Sequence, residues 1–193
     1  MAAAALLLAP QPAGVAGPPP GGAPLLQAAG KPVPLSPASR LRSNGMGAVR
    51  AGMTVAEAEQ ATGMTLRPEG LRDFGGRCYS VRPPGRDLGV YFRVLSDRPV
   101  KSYRDGVIGS AVSSGRVIPT GEGLRTGDTE ARVRRLYPGK VRAQPHKYVP
   151  GGKDLFARGA PGFTLRFETD ARGRVTVMHG GKSDAASLVE GCA

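Results

Sequence analysis

Apolar and polar residues alternate along several short stretches of the chain, the pattern of strands with one buried face. In residues 89–94, Val90, Phe92 and Val94 share one side, and Tyr91 and Arg93 share the other. In residues 163–168, Phe163, Leu165 and Phe167 oppose Thr164, Arg166 and Glu168. Both predicted strands therefore have an apolar face for a core and a polar face directed away from it.

Further strands are predicted around these two. The turn residues at 170–173 predict a hairpin, and residues 174–178 then return with Val175 and Val177 facing the core. Residues 78–81 and 115–118 predict weaker strands, each stopped by a proline. Alternation of this kind is typical of antiparallel sheets with one packed face.

Two short helices are predicted between the strands. Thr54, with Glu57 three residues later, forms a capping-box pattern, and Gly63 supplies a left-handed end. In the second helix Arg132 stands where Glu57 stood, so Asp128 is expected to serve as the cap beside Thr129, and Pro138 and Gly139 end the helix. Helices this short are marginal alone, so we expect both to pack on the sheet.

The start of the first helix recurs later in the chain. Residues 49–58 (VRAGMTVAEA) return 75 positions later as residues 124–133 (LRTGDTEARV), with the arginine, glycine and threonine in register. We therefore predict two tandem units, residues 44–120 and 121–193, each a helix followed by about three antiparallel strands. The fold class is α+β, with a shared or adjacent sheet and the helices packed on one face.

Residues 1–43 differ from the rest in composition. The first 40 residues hold nine of the 18 prolines and only two charges, Lys31 and Arg40. This composition predicts a signal-like, Pro/Gly-rich disordered segment. The apolar start and the small residues at 13–16 favour an export signal. A basic n-region is missing, and alanine-rich low complexity is the alternative. No later stretch is apolar enough to span a bilayer.

Cys78 and Cys192 are the two cysteines. An even number in an exported chain favours one disulfide, which in the chain-entropy model is worth about 4–5 kcal/mol for a loop of this length. Two unpaired buried thiols are the alternative.

The chain has a formal net charge of +12, which favours anionic partners. The charges are scattered, however, and no run of five basic residues or aromatic RNA-binding motif occurs. Aromatic residues make up 5% of the chain, few for stacking on bases. The expected partner is therefore another protein or an anionic envelope polymer, and nucleic acid is disfavoured.

The Gly-Met-Thr start at Gly52, with Glu57, Ala58 and Gly63, resembles the repeat of the beta-lactamase inhibitor protein fold and of SmpA-type lipoproteins. Residues 145–152, 167–170 and 189–192 also resemble segments of exported proteins from high-GC actinobacteria. The resemblance covers residues 45–193 and implies two tandem units. The inhibitor family has cysteine pairs within each unit, and its enzyme-contacting loops have no counterpart here.

No familiar catalytic or metal-binding motif is present. His146 and His179 have no acidic partner at a recognisable spacing, and the sequence lacks clustered Cys/His ligands, a phosphate loop and a serine nucleophile elbow. We therefore expect no enzyme activity, no cofactor and no metal.

Two surfaces are candidates for binding. The first is the open sheet face carrying Tyr91, Arg93, Thr164, Arg166 and Glu168, for which the alternative is a solvated face. Met178 and Thr176 are placed on the same face. Here we expect an Arg93→Glu/Arg166→Glu variant to weaken binding at little cost in stability.

The second candidate surface is the loop with His146, Lys147 and Tyr148, for which the alternative is a rigid connector. Together these features predict an exported, non-enzymatic binding protein of the cell envelope or extracellular space. A secreted enzyme inhibitor is the alternative, and a hydrolase using His146 or His179 ranks third.

Overall fold

The computed structural model of the chain describes residues 30–70, 76–85 and 87–192. The predicted signal-like start therefore lies outside the described residues. The elements, in chain order, are β1 (Leu41–Arg42), β2 (Gly45–Met46), β3 (Val49–Arg50), α1 (Val55–Thr62), β4 (Arg67–Glu69), β5 (Cys78–Arg82), β6 (Val90–Leu95), a 3-10 helix (Tyr103–Asp105), β7 (Val107–Ser113), α2 (Glu130–Leu136), β8 (Val141–Pro145), β9 (Lys153–Arg158), β10 (Phe163–Thr169), β11 (Val175–Lys182) and α3 (Ser183–Ala186).

Eight strands form one antiparallel sheet in the order β4-β5-β6-β7-β11-β10-β9-β8. Four strands follow α1 and four follow α2, where the sequence predicted about three. Strands β7 and β11, the last of each group, pair at the centre, with Met178 opposite Ser113. The α+β class is therefore correct, and β strands are the larger part of it.

Two predictions about strands were wrong. Residues 115–118 form no strand, whereas β7 at Val107–Ser113 was missed because its residues are nearly all buried and show no alternation. In β11 the predicted facing is reversed after Val175. A register shift between Glu168 and Thr169 turns Met178 into the core opposite Phe167 and pairs Val177 with Glu168.

The start of α1 has the predicted cap, and the start of α2 has a different one. The Thr54 hydroxyl accepts the Glu57 amide at 3.2 Å, and the Glu57 carboxylate accepts the Thr54 amide at 2.7 Å, which completes the capping box. Thr129 rather than Asp128 caps α2, accepting the Arg132 amide at 3.3 Å. Gly63 ends α1 in the left-handed conformation, at φ 66°.

Backbone hydrogen bonds attach the start of α1 to β7. The Gly52 amide donates to the Ile108 carbonyl at 2.8 Å, the Ile108 amide to Met53 at 2.8 Å, and the Val55 amide to Gly106 at 2.9 Å. The glycine has φ 101°, which disfavours other residues there.

The start of α2 is attached to β11 by the same kind of bonds. The Gly127 amide donates to Val175 at 2.7 Å, the Val175 amide to Asp128 at 2.8 Å, and the Glu130 amide to Gly173 at 2.8 Å. Gly127 has φ 88°. Each helix therefore starts beside the first residues of a central strand.

The predicted disordered segment extends too far along the chain. Leu35 and Leu41 are buried in the core, and β1 pairs with β2, which pairs with β3. The Leu41 amide also donates to the Pro119 carbonyl at 2.9 Å. A proline-rich segment can pack against a domain in an extended conformation when an apolar side chain such as Leu35 is buried in the core. Composition alone does not reveal such packing.

One apolar cluster joins these parts. It includes Val55 and Ala58 of α1, Val133 of α2, and the strand residues Phe92 and Phe167. Within the described residues, none of the helices has the length and apolar character needed to cross a membrane. The polar sides of β6, β9, β10 and β11 face away from this cluster, and they form the candidate site.

Candidate functional site

The predicted polar residues do share one face of the sheet, but that face is not open. Arg166 is 0% exposed, Arg93 4% and Thr164 7%, while Tyr91 and Glu168 are partly buried. The prediction of an open face is therefore wrong at its centre, and whether these residues contact a partner stays a prediction.

Residues 183–192, here called the C-terminal tail, cover this face. Arg93 Nη1 donates to the carbonyls of Ala185 at 3.1 Å and Leu188 at 3.3 Å. Arg166 Nη1 donates to the same Leu188 carbonyl at 2.9 Å. Because both guanidinium groups hold the tail, the double Arg→Glu variant would lose stability, contrary to the expectation from sequence.

The predicted disulfide closes the tail onto the sheet. Cys78 of β5 is bonded to Cys192, with Cα atoms 5.3 Å apart and a sequence separation of 114. The tail leaves β11 at the centre of the sheet and is fixed again at β5. It therefore crosses the polar side of the intervening strands.

Beneath the tail lies a group of six ionisable side chains, here called the charged cluster: Arg93, His146, Asp154, Arg166, Glu168 and His179. Arg166 Nε donates to Asp154 Oδ1 at 2.9 Å, and Arg166 Nη2 lies 3.1 Å from Glu168 Oε1. Two guanidinium groups face two carboxyl groups, so the formal charges balance. A buried cation without such partners would be very costly.

The two histidines lie on either side of Glu168. His179 Nε2 is 2.8 Å from Glu168 Oε1, and His146 Nε2 is 3.3 Å from Glu168 Oε2. His146 Nδ1 accepts the backbone amides of Tyr148 at 3.1 Å and Val149 at 3.2 Å. An Nδ1 that accepts two hydrogen bonds leaves Nε2 to carry the proton of the neutral ring.

Burial and charge act in opposite directions on the pKa values of this cluster. Burial alone would raise the pKa of Glu168, but the hydrogen bond from His179 and the nearby charges lower that pKa to about 2. Burial lowers the pKa of His179 in spite of Glu168. Burial also lowers the pKa of Arg93. Glu168 is therefore the carboxylate around which the cluster is organised.

His146, Asp154 and Glu168 have ligand atoms within 4.8 Å of one another, a spacing that invites comparison with a metal site. Their chemistry does not fit one. Metal-bound histidine donates its second N–H to an acceptor, whereas His146 Nδ1 accepts two amides. Arg166 also lies against both carboxylates. The group is a salt-bridge cluster with its cation already supplied by the chain.

Catalysis would require access to the histidines. Five cavities in the described part of the chain are lined by neither His146 nor His179. His179 is 2% exposed, and its Nδ1 has no hydrogen-bond partner among the described residues.

The predicted binding loop connects β8 to β9. The Lys147 ammonium and the Tyr148 hydroxyl both contact the Glu190 carboxylate of the tail. The ammonium also lies 5.2 Å from the centre of the Tyr148 ring. His146 points inward to Glu168, so the structure divides the predicted trio. His146 belongs to the charged cluster, and Lys147 and Tyr148 to the surface.

Two residues of this arrangement were not anticipated from sequence. Asp154 lies on β9, which was not predicted. Asp154, Phe156 and Arg158 alternate there with the core residues Leu155 and Ala157, and this pattern is visible in the sequence. The Leu188 carbonyl, which accepts both arginines, is a backbone group, and no side-chain pattern marks it.

Comparisons of the chain with known protein families, curated proteins and solved structures found no match. The function proposed for this chain therefore rests on its own geometry.

Proposed function

We propose that this chain is an exported, non-enzymatic protein that binds another protein at the cell envelope or outside the cell. The contact surface is formed by Lys147, Tyr148, Leu188 and Glu190, here called the tail surface. The observation that carries the proposal is the exposure of two large apolar side chains there. Tyr148 is 55% exposed and Leu188 36% exposed.

Exposed large apolar side chains are few on this molecule. Among the described residues, Val33 is the other one. Tyr148 and Leu188 come from distant parts of the chain, and the contacts of Lys147 and Tyr148 with Glu190 hold the two segments together. Tyrosine is enriched at the centres of protein interfaces because its ring gives a large contact area at low entropic cost.

Anchoring of the tail supports this proposal. The Leu188 carbonyl is held by both buried arginines, and the Cys78–Cys192 disulfide fixes the end of the tail. A surface held in one conformation loses little entropy when a partner binds. The disulfide also supports export, because such bonds persist in oxidising compartments. The burial of His179 and the inward orientation of His146 support a non-enzymatic function.

The proposal includes two tandem units with the fold of the beta-lactamase inhibitor repeat. Its support is the match between the two helix starts. Gly52 and Gly127 both have positive φ, and Thr54 and Thr129 both cap a helix. The three backbone bonds from each start reach equivalent places at the beginning of β7 and β11. The symmetrical strand order around β7 and β11 supports the same interpretation.

The test is site-specific photo-crosslinking in the producing cells, with a photoreactive amino acid at Tyr148 in one strain and at Val33 in another. We expect a discrete adduct from position 148 that Leu188→Ala reduces at least fivefold. Position 33 is the matched control because Val33 is equally accessible, at 60% exposed. The same adducts from both positions, or none from 148, would overturn the proposal.

Export is tested separately by non-reducing mass spectrometry of protein recovered outside the cytoplasm. We expect a peptide joined through Cys78 and Cys192. Two free thiols in exported protein would contradict the function proposed for the anchored tail.

An enzyme inhibitor remains the second candidate, and the symmetrical strand order favours it because the resembling family is built on tandem units. Tight inhibition in a panel of beta-lactamases and proteases, abolished by Tyr148→Ala, would support this candidate. Turnover that disappears with His146→Ala would instead establish a hydrolase.

A further inference from the structure

Two cavities at the β8 end of the sheet share a basic wall. The first, about 420 Å³, is lined by Lys140, Arg142 and Arg158 together with Ser183, Ser187 and Thr164. The second, about 650 Å³, is lined by Arg42, Lys140 and Arg158 together with Ser43 and Asn44. Because Lys140 and Arg158 line both cavities, the cavities adjoin along these two side chains.

The four cations are accessible and unneutralised. Arg42, Lys140, Arg142 and Arg158 are all exposed, and none of them forms a salt bridge with a described carboxylate. Glu122 also lines the second cavity, and its Oε2 accepts the buried Tyr137 hydroxyl at 2.6 Å. We call the four cations the basic groove. Their charge is therefore available to an anion from solution.

Strands β8 and β9 space three of these charges regularly. Lys140 immediately precedes β8, and Arg142 pairs with Phe156, two residues before Arg158 on β9. Residues two apart on a strand lie about 7 Å apart, and neighbouring strands about 5 Å. Successive oxyanions of one extended chain can therefore each meet a cation, whereas a single small anion contacts only one or two.

The surroundings disfavour two other anionic partners. Protein interfaces usually centre on exposed aromatic or aliphatic residues, and Val33, Tyr148 and Leu188 all lie outside these cavities. Single-stranded nucleic acid needs exposed rings for stacking. Of the aromatic residues in the lining, Tyr137 is buried, and Phe156 has the Arg142 guanidinium 5.8 Å from its ring centre.

We propose that the basic groove binds a linear, non-aromatic polyanion with closely spaced phosphate groups. Arginine forks pair with phosphate oxygens, and the neighbouring serine hydroxyls add neutral donors. This site goes beyond the protein contact at the tail surface and uses none of its residues. It assigns a role to four of the 27 basic residues of the chain.

The test uses the full oxidised chain and fluorescently labelled short-chain inorganic polyphosphate, with anisotropy measured at 50 and 200 mM salt. For four contacts at a single-strand counterion slope, we expect affinity to fall roughly 50-fold over this range. A Lys140→Gln/Arg158→Gln variant should bind at least tenfold more weakly at 50 mM salt. With two contacts left, it should lose only about sevenfold over the same range.

The matched control is Arg98→Gln/Lys101→Gln, which removes the same charge from a cavity that Asp97, Asp105 and Asp184 also line. It should bind polyphosphate within twofold of the unmodified chain. Equal losses in both double variants would show a nonspecific charge effect and overturn the proposal, as would an absence of polyphosphate binding.

Three further probes separate the sources of the anion. Free phosphate should compete only at concentrations at least a hundredfold higher, and a polycarboxylate of equal charge should bind more weakly. Single-stranded DNA of equal charge binding as tightly as polyphosphate would replace the proposal by a nucleic-acid site. If polyphosphate does not bind, the expected crosslink from position 148 is unaffected. The two proposals can therefore fail separately.

Discussion

The two faces of the eight-stranded sheet are both buried near its centre, by different means. On β10, Phe167 points into the apolar core with 0% exposure, and its neighbour Arg166 points to the opposite side, also with 0% exposure. Phe167 is surrounded by apolar atoms, and its ring centre lies 5.4 Å from that of Tyr137. Arg166 is surrounded by carboxylates and by the Leu188 carbonyl.

The difference matters for how each face responds to change. When a buried apolar side chain is shortened, the protein loses stability in proportion to the contacts removed. A buried ion pair has its attraction largely offset by desolvation, but removing one partner leaves an uncompensated charge. Small substitutions in the apolar face should therefore cause small losses of stability, whereas removal of one charge from the charged cluster should cause a large loss.

Removing the disulfide with Cys78→Ala/Cys192→Ala should have the largest effect. In the chain-entropy model the cross-link across 114 residues is worth about 4–5 kcal/mol. Because the tail covers only the polar face, we also expect earlier hydrogen exchange around Arg166 than around Phe167 in this variant. Urea unfolding with exchange mass spectrometry measures both, and uniform loosening of the two faces would contradict the comparison.

Replacing Arg166 by methionine should cost about 3–5 kcal/mol, because Asp154 and Glu168 are left buried without their cation. The adjacent Phe167→Leu variant should cost about 1 kcal/mol, since it keeps most of the apolar volume. Adding Asp154→Leu to Arg166→Met should recover part of the loss. Urea midpoints of these proteins and of Asp154→Leu alone measure the coupling, and additive losses would show that the pair is not coupled.

Gly180 of β11 lets β1 lie close against the sheet. A Cβ added at Gly180 would collide with the Arg42 carbonyl of β1 and lie 3.1 Å from Leu41 Cδ1. Gly180→Ala should therefore cost about 1–3 kcal/mol by forcing β1 away from the sheet. The exposed neighbour Lys182 provides the control, and Lys182→Ala should leave the unfolding midpoint nearly unchanged. Equal midpoints for both variants would show that β1 yields freely.

Low pH should reduce the contribution of the polar face to the free energy of unfolding and leave that of the apolar face unchanged. The folded pKa of Glu168, about 2, lies below its usual value of 4.5, so its contribution is complete above pH 4.5 and is lost as the pH falls towards 2. Burial depresses the pKa of His179, which makes stability decline as the pH falls below 6.5. Each proton contributes a slope of at most about 1.4 kcal/mol per pH unit.

Urea midpoints measured from pH 7 to pH 2 test this dependence. Glu168→Gln should flatten the part of the curve below pH 4.5, while Phe167→Leu should lower the whole curve without changing its shape. A Glu168→Gln curve parallel to that of the unmodified chain would exclude Glu168 as the titrating group.

Part of this arrangement was readable in the sequence. The capping box at Thr54 and Glu57 predicted α1, because its groups are three residues apart and interact locally. Alternation placed Arg93, Arg166 and Glu168 on one face, and the two cysteines gave the cross-link. The shift within β11 was not readable, since the extra residue Thr176, which has no partner between Glu168 and Thr169, reverses the facing of the residues after it while leaving the sequence pattern plausible.

What the chain encodes locally is the side of a strand on which a residue lies and the residue at which a helix starts. What covers each side is decided by segments far away in sequence. Arg93 and Arg166 looked like surface residues because a polar side of a strand usually meets water. The folded molecule instead brings the Asp154 carboxylate to Arg166 and the Leu188 carbonyl to both arginines, and only these contacts supply the countercharge and acceptors that their burial requires.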